Sequence, residues 1–165
     1  MAAEGFTTCL WFDGQAEEAA NHYSSIFPNS EVGQATRYTE AGPGEPGTVV
    51  AVDFELNGQK FVGLNGGPEF TFSEAISFQI HCDDQEEVDY YWSRLTEGGE
   101  EGPCGWLRDK FGVSWQVVPK VLIDMISDAD AEKATRATEA MLSMGKFDIA
   151  ELERAYEGVS EPAKS

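Results

Sequence analysis

Cys104-Gly105-Trp106-Leu107-Arg108-Asp109-Lys110-Phe111-Gly112-Val113-Ser114-Trp115-Gln116-Val117-Val118-Pro119 is the stretch that decides how this chain folds. Asp109 to Gly112 carries the residue types of a tight turn, an acceptor side chain at one end and a glycine at the other. The flanks, Glu101 to Leu107 and Val113 to Val118, are rich in aromatic and β-branched residues, so the stretch reads as a hairpin. On such a strand Trp115 and Gln116 point to opposite faces.

An earlier hairpin matches it. Thr48 to Leu56 and Gln59 to Asn65 flank Asn57-Gly58, a pair in which both residues tolerate the positive φ of a two-residue turn. At a shift of 54 residues Gly58 falls on Gly112, Phe61 on Trp115 and Val62 on Gln116. Each hairpin follows a strand and a helix. Phe6 to Phe12 is a short apolar strand, and Gln15 to Phe27 is an amphipathic helix with Glu17 and Glu18 in its first turns. Ala75 to Cys82 alternates Ile76, Phe78 and Ile80 with Ser77, Gln79 and His81. A helix then runs to about Leu95, with Asp84 and Glu87 as an approximate capping box. The helices overlay at 69 residues and the strands before them at 68. The loop Ala41 to Gly47 absorbs the difference from 54.

The expected fold class is therefore α+β, with two βαβββ-type units at about 5–68 and 74–119 in a single domain, 1–159. The two curved sheets are expected to form a trough. Leu10, Phe12, Ile76, Phe78 and Ile80 should pack under the helices, and Thr7, Cys9, Trp11, Ser77, Gln79 and His81 should face the trough. Helices at Pro119 to Ser127, Ala129 to Met144 and from Asp148 to about Tyr156 make a C-terminal extension, 120–158. A tail, 160–165, follows.

Eleven basic residues face thirty acidic ones, a net charge of −19. A nucleic-acid partner needs clustered Lys and Arg, and an anionic membrane surface needs a basic run; neither pattern is present. No basic leader or long apolar segment marks a signal peptide or a membrane span. Cys9, Cys82 and Cys104 are odd in number and form no CxxC pair, which fits free thiols in a cytoplasmic protein. Cys104, in a Gly/Pro loop, is the thiol to watch for reactivity.

Leu10-Trp11-Phe12-Asp13-Gly14-Gln15-Ala16-Glu17-Glu18-Ala19, Phe27-Pro28-Asn29-Ser30, Leu64-Asn65-Gly66-Gly67-Pro68 and the 104–119 hairpin resemble the PhnB-like family of the vicinal oxygen chelate (glyoxalase/bleomycin-resistance) superfamily. So do Glu74 to Phe78, Glu86 to Trp92, and the C-terminal Ala140 to Met144 and Phe147 to Ala150. The resemblance covers nearly the whole chain. It implies a glyoxalase-like fold, a homodimer, an unidentified small-molecule partner and the family label 3-demethylubiquinone-9 3-methyltransferase. Metal enzymes of the superfamily place ligands on the first strand of each unit and the last strand of each hairpin. Carried over, those positions are Thr7, Ala75, Val62 or Leu64, and Gln116. Such a set suits no divalent ion, so neither metal nor other cofactor is expected.

A methyltransferase needs a place for its adenosyl cofactor. The glycine-rich Gly63 to Pro68 follows a hairpin strand rather than opening a helix, and reads as a turn. His22 and His81 are far apart, and Asp83-Asp84 reads as a helix cap. Trp106 and Trp115 are either core or an aromatic wall. The apolar stripes of Leu122, Met125 and Ile126 and of Met141, Leu142 and Met144 are expected to cover a trough edge or a dimer seam. The ligand-binding candidates are Trp11, Asn65, Ser77, Gln79, Trp106 and Gln116. The expected function is small-molecule binding without a metal site. The alternative is an enzyme acting on a quinone-like aromatic.

Overall fold

A computed structural model describes residues 5–159; the tail at 160–165 lies outside the described residues. The chain divides into two compact units, residues 1–72 and 73–165.

In the first unit β1 (Thr8–Phe12) leads to α1 (Ala16–Ile26). β2 (Glu31–Arg37), β3 (Val49–Leu56) and β4 (Gln59–Asn65) follow. The sheet order is β1-β4-β3-β2, with β1 parallel to β4 and the other pairs antiparallel. Asn57 (φ 48°) and Gly58 (φ 81°) both take the left-handed conformation that the two-residue turn demands. Leu10, Phe12, Val52, Phe54 and Phe61 are buried on the face that receives α1. Phe54 lies between two rings, stacked on Phe61 at 5.3 Å and on Tyr23 of α1 at 6.3 Å. Helix and sheet meet closely at Gly63, where a Cβ would stand 3.1 Å from that of Ala16.

The second unit repeats this order. β5 (Ser77–Cys82) and α2 (Gln85–Thr96) precede β6 (Glu100–Glu101), β7 (Trp106–Arg108) and β8 (Ser114–Pro119), and the sheet runs β5-β8-β7-β6. Asp84 caps the helix as expected, and the return bond of the approximate capping box falls one residue before it. Asp84 accepts from the Glu87 backbone N–H at 2.9 Å, and the Glu87 carboxylate accepts from the Asp83 N–H at 2.7 Å. α2 covers the face that buries Leu107 and Trp115, and Trp92 Nε1 of α2 donates to Glu101 at 3.0 Å.

Three details differ from the sequence expectation. The single strand expected at 101–107 is two, because Pro103, Cys104 (φ 53°) and Gly105 (φ 77°) turn the backbone between β6 and β7. Ile76 is 73% exposed rather than packed under a helix, because it sits in the turn before β5, where its N–H reaches the Ser73 carbonyl. The repeat register also moves. Thr8 pairs with Phe61 and Phe78 pairs with Trp115, so hairpins overlaid at 54 residues bring the leading strands together at 70, not 68. The counterpart of Thr7 is Ser77 rather than Ala75. A slip of two residues preserves which face each side chain takes, so residue pattern alone does not reveal it.

The extension forms α3 (Lys120–Ile126), α4 (Ala131–Ser143) and α5 (Ile149–Glu157). Leu122, Met125, Ala137, Met144, Phe147 and Leu152 make a small core of their own, with Val118 and Cys104 packed against it. Leu142 is exposed, so only part of the expected stripe is buried. The extension also grips the β6–β7 turn. The N–H groups of Cys104 and Gly105 donate to the carbonyls of Met144 (2.7 Å) and Gly145 (2.8 Å). Gln85 at the head of α2 donates to the Phe147 carbonyl at 3.0 Å and accepts from the Ile149 N–H at 2.8 Å.

The β7–β8 turn is organised by one carboxylate. Asp109 is 2% exposed, and its Oδ1 accepts from the N–H groups of Phe111 (2.9 Å) and Val113 (3.0 Å). Its Oδ2 accepts from Trp115 Nε1 at 2.8 Å. Asp109→Ala strands three donors inside the unit and should cost about 3 kcal/mol in urea unfolding. Gly105→Ala should cost roughly 2 kcal/mol or more, since its Cβ would lie 2.4 Å from the Phe147 ring and 2.8 Å from the Val117 carbonyl oxygen. Wild-type midpoints for both variants would refute this account of the hairpin.

Candidate functional site

Pairing across the second sheet sorts its side chains into rows. On the face opposite α2, one row runs Ser77, Ser114, Arg108, Glu100 across β5, β8, β7 and β6. The adjacent row runs Gln79, Gln116, Trp106. Four of the six sequence candidates are thus brought together by register. The polar ones are joined directly: Gln116 Nε2 donates to Ser77 Oγ at 2.7 Å, and Gln79 Nε2 donates to Gln116 Oε1 at 3.2 Å. Trp106 stands beside this ladder, partly exposed, while Trp115 is buried toward α2. The choice left open for the two tryptophans falls with Trp115 as core and Trp106 as surface.

The other two candidates belong to the first unit and are occupied within it. Trp11 Nε1 donates to the Gly67 carbonyl at 2.8 Å, and its ring meets Phe70 edge-on at 5.0 Å. Asn65 binds backbone at both ends of its carboxamide, accepting from the Ala16 N–H at 2.9 Å and donating to the Val49 carbonyl at 3.2 Å. It therefore ties the start of α1 to β3 and β4.

Sequence reasoning passed over Ser114, Arg108 and Glu100. With Trp106, Pro103 and Glu74 they line a cavity of about 340 Å³. Arg108 and Glu100 form an ion pair at 2.5 Å across β6 and β7, and both are exposed. Ser114 is 2% exposed, and its hydroxyl has no hydrogen-bond partner among the described residues. The signal that finds them is register: once Gln116 is taken as facing away from α2, Ser114 two residues earlier shares that face, and Arg108 is its partner across the hairpin.

Among the described residues no group of three or more His, Cys, Asp or Glu is gathered to hold a metal ion. His81 and the Asp83-Asp84 cap stand at the end of β5, and His22 lies on α1. No helix of the described residues is long and apolar enough to cross a membrane.

Comparison with known proteins now places this architecture. Residues 4–118 match the family described as 3-demethylubiquinone-9 3-methyltransferase. The PhnB protein of Bacillus cereus is 40% identical, with a TM-score of 0.62 over 70% of this chain and 99% of that one. The chain belongs to the PhnB-like family. That family lies in the vicinal oxygen chelate superfamily, and the fold is glyoxalase/bleomycin-resistance-like. Protein PA1353 of Pseudomonas aeruginosa (16% identity, TM-score 0.58, 71% of this chain and 98% of that one) shares the fold. So does the fosfomycin resistance protein FosX of Mesorhizobium loti (13%, 0.52, 70% and 91%). No curated protein matches the chain. The family match ends at residue 118, so α3 to α5 of this PhnB-like chain lie beyond it, although the sequence resemblance had been carried through them.

The thiols separate by environment. Cys82 is buried at the end of β5, and its pKa is pushed up to about 12 by burial and by the neighbouring Glu87, Asp84 and Asp83 carboxylates. Cys104 is half-buried against the extension, and Cys9 is the exposed thiol. At pH 8 an aromatic disulfide reagent should therefore label Cys9 first, and Cys82 only after unfolding. A fast phase that survives Cys9→Ser would contradict this ordering.

Proposed function

We propose that this chain binds a small molecule on the second unit's sheet, over the Ser77–Gln116–Gln79 ladder and against Trp106, without a resident metal. One observation carries the reading. The register makes Ser77 the counterpart of Thr7, and Gln116 stands on the last strand of the hairpin, the strands from which the superfamily resemblance draws metal ligands. Here a hydroxyl and a carboxamide bond one another, and both ends of the carboxamide are engaged. A neutral amide held in this way is a poor substitute for carboxylate, imidazole or thiolate around a divalent ion. It does make an ordered polar floor beside an aromatic wall, the composition of small-molecule sites. The reading includes a cytoplasmic homodimer, for which exposed Ile76 and Leu142 offer apolar surface.

A second reading is an enzyme acting on a quinone-like aromatic. The family's description as a 3-demethylubiquinone-9 3-methyltransferase favours it, as does the indole of Trp106 on the cavity wall. Against methyl transfer from an adenosyl cofactor, β4 runs into the loop after Asn65 and no helix follows before β5, so the glycine-rich segment lacks the helix N-terminus such a turn serves.

Elemental analysis and calorimetry separate these readings. The expected results are less than a tenth of an equivalent of zinc, nickel, manganese or iron, and no heat with millimolar S-adenosylmethionine. Saturable binding from an aromatic-metabolite panel should weaken roughly tenfold in Trp106→Ala. A stoichiometric metal would sink the metal-free proposal, and binding indifferent to Trp106 would move the site elsewhere.

A further inference from the structure

Four asparagines occur in the chain, and two of them, Asn57 and Asn65, precede a glycine. That dipeptide carries a chemistry of its own. The glycine's backbone nitrogen can attack the side-chain carbonyl carbon of the asparagine, because a residue without Cβ leaves the approach open. The new C–N bond closes a succinimide ring, and the carboxamide nitrogen leaves as ammonia. Water then opens the ring at one carbonyl or the other. The product is aspartate or, with the main chain rerouted through the side chain, isoaspartate. In a folded protein the reaction depends on what else holds the carboxamide and the glycine N–H.

The two pairs stand in opposite surroundings. At Asn65-Gly66 the reacting groups are already in use. The Asn65 carboxamide accepts from the Ala16 N–H at 2.9 Å and donates to the Val49 carbonyl at 3.2 Å. The Gly66 N–H donates to the Phe12 carbonyl at 3.0 Å. Gly66 also lies so close under Trp11 that a Cβ would stand 2.2 Å from the indole.

None of this holds at Asn57-Gly58, which is exposed at the tip of the β3–β4 turn. Among the described residues the Asn57 carboxamide makes no hydrogen bond, and the Gly58 N–H donates to no carbonyl. No atom stands within 4 Å of the place a Gly58 Cβ would take. The one tie is from the Asn57 N–H to Ser30 Oγ at 3.2 Å, and it leaves the reacting atoms free. The other two asparagines precede His22 and Ser30, whose side chains obstruct the attack.

We infer that Asn57 is a site of covalent self-modification, converting to aspartate and isoaspartate through Gly58 while the fold is intact, and that Asn65 is shielded from the same reaction. Isoaspartate adds one atom to the main chain inside a two-residue turn. That turn sets the Leu56–Gln59 pair and the β3–β4 partners beyond it, including the stacked Phe54 and Phe61. The isoaspartate form therefore loses the turn geometry on which the hairpin rests. The aspartate form keeps it, since Asp-Gly suits the same turn. Either product adds a carboxylate to a chain that already carries −19.

The test ages the full chain in warm, mildly alkaline buffer, folded in one arm and in urea in the other. Peptide mapping by mass spectrometry follows each asparagine. In the folded arm, with circular dichroism unchanged, Asn57 should convert about tenfold or more faster than Asn65, which must first break two side-chain hydrogen bonds. In urea the two rates should converge. Anion exchange then isolates the isoaspartate form, whose urea midpoint should fall below that of fresh protein, while Asn57→Asp keeps the fresh midpoint. Asn57 reacting as slowly as Asn65 in the folded arm would overturn the inference. Asn65 reacting as fast as Asn57 there would refute the shielding, and an unchanged midpoint for the isoaspartate form would refute the effect on the hairpin.

Discussion

The Asp109 carboxylate is the constraint on which the second unit depends. Three N–H donors converge on it, two from the turn and one from the indole of Trp115. A buried carboxylate is costly unless its oxygens are satisfied, and here the donors come from residues two, four and six positions onward in the chain. The turn therefore closes with one register. That register sends Trp115 toward α2 and Gln116 to the other face. It also sets Ser114 opposite Arg108 and Trp106 opposite Gln116, so the candidate site follows from how one carboxylate is satisfied.

Much of the fold is legible in residue pattern. Asn57-Gly58 specifies its turn because both positions need positive φ, and the Asp84/Glu87 cap follows from spacing alone. The strand–helix–strand order of each unit is visible in the switch from period two to period 3.6. What escapes is whatever depends on pairing at a distance. The slide from 68 to 70 residues between the leading strands leaves every face assignment unchanged, so only the β1–β4 and β5–β8 partners reveal it. The split of the 101–107 segment depends on Cys104 at positive φ, held by a carbonyl forty residues later.

The candidate site was legible in part for the same reason. Ser77, Gln79, Trp106 and Gln116 are found by alternation once the strands are known. Arg108, Ser114 and Glu100 need the cross-strand partner as well. Asn65 and Trp11 look like ligand-facing polar and aromatic groups in sequence. In the structure their hydrogen-bonding capacity goes to backbone, Asn65 to the start of α1 and Trp11 to the loop at Gly67. A side chain's chemistry is visible in sequence, but which neighbour consumes it is not. The ion pairs add little to this picture. Those at Arg37–Glu17, Lys146–Asp89 and Arg108–Glu100 are all solvent-exposed, a class typically contributing about 0–1 kcal/mol.

The helical extension has a consequence for the order in which the chain acquires its shape. Met144 and Gly145 supply the carbonyls that tie down Cys104 and Gly105, the two residues before Trp106, and Phe147 packs where Gly105 leaves no room for a side chain. During synthesis from the N-terminus, the hairpin and β5 emerge first and can pair, since the Asp109 turn and the β5–β8 ladder are complete by Pro119. The approach to Trp106 stays without its anchor until the segment past residue 147 has left the ribosome. The nascent protein thus has its sheet before Trp106 has its anchor, and helices made later finish a surface built from residues that precede them.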